Sequence, residues 1–188
     1  QLNLMRVGEP MYVFYGYVED GYDENGHIVY KNMDDDPAIT AADKTIIGDP
    51  NPDFLVNLTT AVSYKGFTLS AFFQSSIGND IYSLSMAAQA YDYGYNGNTL
   101  REVYYNHWTP ENPTAKYPNL DQTSYKMSDR FVYDGSFVRL KNLELAYDVP
   151  CARSKFIKRA RVYVSAQNLF TITSYPFWDP DINANGGG

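Results

Sequence analysis

The sequence predicts an all-β fold of antiparallel hairpins, and three observations carry it. Residues 54–77 alternate apolar with small polar side chains on both sides of a Lys65-Gly66 pair, and residues 136–173 repeat the alternation on two longer arms. Aromatic residues, 18 Tyr, 10 Phe and 2 Trp, make up 16% of the 188 residues, and these are the side chains that suit a pleated surface. No run approaches the ~20 apolar residues of a membrane-crossing helix, whereas barrel strands alternate and keep their mean hydropathy low.

Residues 1–53 contain no long alternating run and are expected to be a loop region. The opening QLNLMRVGEP has neither a basic leader nor an apolar segment, and DINANGGG closes in loop-like residues, so the chain is expected to be an internal piece of a longer protein. Within this region Asn32, Asp34, Asp36, Thr40 and Asp43 stand at positions 1, 3, 5, 9 and 12 of a calcium-type loop, where alternate residues turn oxygens onto one hard cation. Pro37 replaces the turn glycine and Asp43 the longer glutamate, so the competing reading is a solvated acidic loop. No cofactor is required; Ca2+ is the one ion this spacing suggests.

Folding 54–77 at Lys65-Gly66 so that Tyr64 opposes Phe67 sorts the side chains. Phe54, Val56, Leu58, Thr60, Val62 and Tyr64 join Phe67, Leu69, Ala71, Phe73, Ser75 and Ile77 on one face. Leu55, Asn57, Thr59, Ala61, Ser63, Thr68, Ser70, Phe72, Gln74 and Ser76 share the other. Each arm has the length of a tilted membrane strand. Lys-Gly is not the favoured Asn-Gly pair, which leaves the turn type open.

Residues 78–135 form a long loop whose Tyr91, Tyr93, Tyr95, Tyr104, Tyr105 and Trp108 are the candidates for contact with a substrate or partner, since Tyr and Trp offer an apolar face with a polar rim. Packing of the loop on itself competes for the same residues. SLSMAAQA is expected to form a short helix. In the second hairpin, 136–173, Leu143, Leu145, Tyr147 and Val149 share a face with Val162, Val164, Ala166, Phe170 and Ile172. Val138 and Leu140 have the wrong parity and Asn168 falls on the apolar side, so a bulge is expected in each strand. Residues 174–188 begin another loop.

Short links at 65–66 and 150–160 and long ones elsewhere fall at opposite ends of an up-and-down sheet, as in an outer-membrane barrel; a secreted β-sandwich, in particular a glycan-binding module, alternates in the same way. A net charge of -7, with one short basic cluster (Arg153, Lys155, Lys158, Arg159, Arg161), argues for no nucleic-acid partner. Cys151 is alone, so no internal disulfide forms. Only His27 and His107 could serve a triad, no zinc spacing occurs, and Glu102, Glu111 and Asp121 could in principle make a glycosidase pair although sequence does not place two carboxylates at catalytic separation, so no enzyme is expected.

Taken together, FYGYVEDGY (14–22), AITAADKTIIGDPNPDF (38–54), VSYKGFTLSAFFQSSIGNDIY (62–82), HWTPENPTAKYP (107–118), DRFVYDGSFVRLKNLELAY (129–147) and RVYVSAQNLFTIT (161–173) resemble the SusC/RagA-like TonB-dependent outer-membrane transporters. The resemblance implies the C-terminal part of a 22-stranded antiparallel transmembrane β-barrel in the outer membrane of a Gram-negative bacterium, without its plug domain and final strand. On it, 54–77 and 136–173 are transmembrane hairpins, while 1–53, 78–135 and the start of 174–188 are extracellular. It also implies import of oligosaccharides or peptides, a SusD-like surface lipoprotein as partner, and energy from the TonB complex through the absent plug. The family's Asp-x-Asn-x-Asp-Gly loop coincides in position with 32–43, where Asn32 and Pro37 depart from it.

Overall fold

The computed structural model describes residues 2–34, 36–91, 98–122, 124–151 and 156–181, the side chains of 88–91 excepted. In chain order the elements are β1 (Asn3–Leu4), β2 (Val13–Gly16), β3 (Glu19–Tyr22), β4 (Ile28–Tyr30), β5 (Thr45–Gly48), β6 (Phe54–Tyr64), β7 (Phe67–Ile77), β8 (Asp80–Tyr82), α1 (Leu84–Tyr91), α2 (Arg101–Tyr105), β9 (Val132–Asp134), β10 (Phe137–Val149) and β11 (Ala160–Thr173). They divide into two units: one holds Gln1–Asn51 with Asp80–Tyr133, the other Pro52–Asn79 with the described residues from Asp134 onward.

The second unit is a four-stranded antiparallel sheet in the order β11-β10-β7-β6. Its first hairpin closes at Lys65 and Gly66, whose φ values of 47° and 86° are both left-handed, as a type I′ turn requires. Tyr64 therefore faces Phe67, and the register continues without interruption to Phe54 opposite Ile77.

Between β7 and β10 the register slips once. Leu140 pairs with Phe73 and Asn142 with Phe72, leaving Lys141 as an extra residue. Between β10 and β11, Leu140 pairs with Phe170 and Asn142 with Gln167, so Asn168 and Leu169 stand against the single Lys141. Asn168 takes φ 50°, a left-handed value that Asn tolerates better than most residues. The expected pair of bulges is present, and it moves Val138 and Leu140 onto the same face as Leu143 and Leu145.

In the first unit the expected loops carry short strands that sequence periodicity did not reveal: a three-stranded sheet β1-β2-β5 and two-stranded sheets β3-β4 and β8-β9. Strands of two to four residues are too short to show a period, and in the β2-β5 and β8-β9 pairs the partners also lie far along the chain. The unit packs around aromatic side chains. Phe14 lies 5.8 Å from Tyr82, Tyr82 5.9 Å from Phe131, Phe131 5.5 Å from Tyr125, and Tyr17 5.6 Å from Tyr30, centroid to centroid. Glu19 and Arg130 form an ion pair within this unit, and Glu19 also accepts from the Ser128 hydroxyl at 2.7 Å.

Candidate functional site

Directly opposed residues share a face, so the register defines two surfaces on the four-stranded sheet. One carries the rows Val56-Ser75-Val138-Ile172, Leu58-Phe73-Leu140-Phe170, Thr60-Ala71-Leu143-Ala166, Val62-Leu69-Leu145-Val164 and Tyr64-Phe67-Tyr147-Val162. The other carries Asn57-Gln74-Arg139-Thr171, Thr59-Phe72-Asn142-Gln167 and Ala61-Ser70-Glu144-Ser165. Most of the apolar surface is bare, Leu140 and Ser75 excepted: Val62 is 65% exposed, Leu145 50% and Val164 73%. Ten or so such side chains on one face far exceed the scattered apolar residues normal on a water-facing surface.

The polar surface carries the charge. Arg139 is almost fully buried and donates through Nε to the Thr171 hydroxyl at 2.9 Å, while its two terminal nitrogens reach Asp179 and, at 3.3 Å, Asp181. Sequence reading passed over this arginine. Its signal was a charged residue at a polar-face position, flanked by Val138 and Leu140 on the apolar side.

The aromatic candidates of the 78–135 region divide. The backbone of Tyr91 ends α1, but its side chain, like Tyr93 and Tyr95, lies outside the described residues. On α2 the inward residue is Val103, which is fully buried, and this turns the next two side chains outward. Tyr104 and Tyr105 are 60% and 65% exposed, edge to face at 5.2 Å, with the Arg101 guanidinium 5.7 Å from the Tyr105 ring. His107 is fixed beside them, Nδ1 2.7 Å from the Tyr104 carbonyl.

Trp108 is different. It lies across Gly26, where a Cβ would come within 2.3 Å of the indole, and it forms one wall of a groove of ≈ 580 Å³ between the Gly21–Glu24 turn and residues 113–115. Its ring closes the β3-β4 turn and lines the groove at once. Tyr30, buried at the end of β4, has its hydroxyl pushed up to about 12 by desolvation.

The 32–43 loop is a self-capped turn. Asn32, Asp34 and Asp36 each accept from the amide two residues on, at 3.1, 2.9 and 3.1 Å. Thr40 caps a single 3-10 turn, Ala41–Asp43, and accepts from Ala42 N–H. Asp43 is inaccessible to solvent, and its two carboxylate oxygens accept from the Met33 and Thr40 amides, each at 2.7 Å. These amides hold its carboxyl below the usual range. Among the described residues no three His, Cys, Asp or Glu side chains converge on one point, and in this structure the loop oxygens of Asn32, Asp34, Asp36, Thr40 and Asp43 accept from backbone amides.

The glycosidase candidates are engaged separately. Glu102 accepts from the Lys116 ammonium at 2.8 Å, which holds its carboxyl below the usual range, and Asp121 pairs with His27 at 2.9 Å; Glu111 is exposed.

No family model matches the chain. It is 32% identical over 201 residues to TonB-dependent receptor P3 of Formosa agariphila, covering 97% of this chain and 20% of that protein. It is 29% identical over 185 residues to TonB-dependent receptor SusC of Bacteroides thetaiotaomicron, covering 95% and 18%. Among solved structures, the RagAB peptide importer in its open-open state superposes with a TM-score of 0.77 at 27% identity, covering 95% of this chain and 20% of the neighbour. The chain thus spans about a fifth of the length of the relatives it matches.

Proposed function

The chain belongs to the SusC/RagA-like TonB-dependent transporters and carries part of their antiparallel barrel, and from that premise we propose that it is a section of the wall and outer loops of an outer-membrane nutrient importer. In this reading β6-β7 and β10-β11 cross the bilayer. Their apolar rows meet hydrocarbon and their polar rows face the barrel interior. Residues 1–53 and 78–135 lie outside the cell, with the start of 174–188, and meet a SusD-like surface lipoprotein and an oligosaccharide or peptide cargo. The TonB complex supplies energy through a plug domain carried elsewhere in the protein. The segment works by import and not by catalysis, in the outer membrane of a Gram-negative bacterium.

The observation that supports this reading is the bare apolar face. A water-soluble sandwich needs a second layer over those rows, yet Leu58, Val62, Leu145 and Val164 all remain half exposed or more. Among the described residues β6 and β11 each have one unpaired backbone edge, which hydrocarbon does not tolerate unless neighbouring barrel strands pair with them.

The test uses single cysteines in the complete transporter in lipid vesicles, at Val62 and Leu145 on one face and at Ser63 and Glu144 on the other, each carrying a fluorophore. A quencher dissolved in the acyl chains is expected to quench the first pair and spare the second. Equal quenching of both pairs, or the reverse pattern, overturns the proposal.

A further inference from the structure

Beyond β11 the chain does not leave the sheet. Ser174 donates to Asp134 at 2.7 Å, Tyr175 N–H to the Thr173 hydroxyl at 3.0 Å, and Thr173 in turn to the Ser136 carbonyl at 2.8 Å. Pro176 and Pro180 restrict the backbone between these anchors. Asp179 and Asp181 then reach the guanidinium of Arg139, a polar-face residue directly opposite Gln74 and Thr171. Asp179 also accepts from Asp181 N–H at 2.9 Å, which orients the two carboxylates together, and Lys141 approaches Asp181 at 3.9 Å.

We propose that residues 174–181 form a strap folded over the polar face and latched there by Arg139, so that the segment following β11 narrows the mouth of the import path. Narrowing of an import path rests on the polar face being barrel interior; the latch itself does not. Arg139 has 5% of its side chain exposed, while the two aspartates are 59% and 41% exposed. The arginine is therefore the fixed half of the latch and the strap the movable half. A buried guanidinium left without its carboxylates is strongly unfavourable, so the strap stays down unless something replaces them. Trp178, 94% exposed, rides on the strap.

The experiment uses the complete transporter with spin labels at Trp178→Cys and Asn57→Cys, the second in the same polar row as Arg139, and reads their distance distribution. The parent is expected to give one narrow peak. Asp179→Asn with Asp181→Asn is expected to raise the population outside that peak by at least about tenfold, the change that follows from losing even one of the two charge-assisted hydrogen bonds. Arg139→Gln should act in the same direction, but it also disturbs the sheet, so the aspartate pair decides. A peak that stays narrow in the aspartate variant while the barrel remains folded overturns the latch, as does a broad distribution in the parent. Lipid quenching at Val62 against Ser63, measured on the same preparations, reports separately whether the polar face is the interior.

Discussion

Leu58 stands directly opposite Phe73 at the middle of the β6-β7 ribbon, and the leucine is 58% exposed. Its neighbour Thr59 points to the opposite surface. Leu58→Arg is therefore expected to destabilise the complete barrel by about 2–4 kcal/mol, the penalty for a cation near the bilayer midplane. Thr59→Arg should cost far less. Reversible denaturant unfolding into lipid vesicles measures both, and equal penalties would contradict the lipid assignment.

The turn at Lys65 and Gly66 places one residue badly and one well. Lysine at φ 47° bears the steric penalty of left-handed backbone that asparagine largely avoids, so Lys65→Asn is expected to stabilise the hairpin, by about 0.5–1 kcal/mol. Gly66→Ala is expected to lose about 1 kcal/mol, and its Cβ would also stand 3.3 Å from the Asp148 carbonyl. The same unfolding measurement reads both signs.

Asp43 has its pKa lowered, first by the Met33 amide and then by the Thr40 amide. The stability it contributes is fully present above the ordinary carboxylate range and is lost as pH falls through the lowered value. The protection of the Met33 and Thr40 amides, taken as the exchange rate relative to the intrinsic rate at each pH, is expected to fall on acidification, and Asp43→Asn should remove that loss of protection. A flat profile in the parent would show that the cap does not hold the turn.

Calcium at Asn32, Asp34, Asp36, Thr40 and Asp43 is tested by calorimetric titration. With both Asp43 oxygens already accepting amides, no binding heat is expected. Heat that disappears in Asp34→Ala and Asp36→Ala would establish the ion instead.

Tyr105→Ala, alone or with Tyr104→Ala, is expected to leave the fold intact and weaken cargo or lipoprotein binding, by up to about tenfold if a ring stacks in the complex. Trp108→Ala, which uncovers Gly26, should instead lower the stability of the β3-β4 turn. Binding by the complete complex, alongside exchange at the Gly26 amide, separates the two effects.

The long hairpins were legible because eleven or more residues of strict alternation leave one consistent pairing, and even the bulges showed as a clash of parity between Val138 and Leu143. The short strands were not, since Val13–Gly16 finds its partner Thr45–Gly48 some thirty residues away and neither is long enough to display a period. Of the site, Tyr104 and Tyr105 could be read from composition. Arg139 could be read only as a charge on the polar face; its partners could not, because the two aspartates forty residues downstream are brought to it only by the folded strap.

The slip at Lys141 has a geometric consequence for the closed wall. Along one row β7 adds no residue, β10 adds one and β11 adds two, so stagger accumulates strand by strand within the sheet itself. Accumulated stagger is shear, and for a given number of strands shear sets their tilt and the radius of the cylinder. Deleting Lys141 would thus do more than loosen a strand: it would change the circumference that the rest of the wall must match.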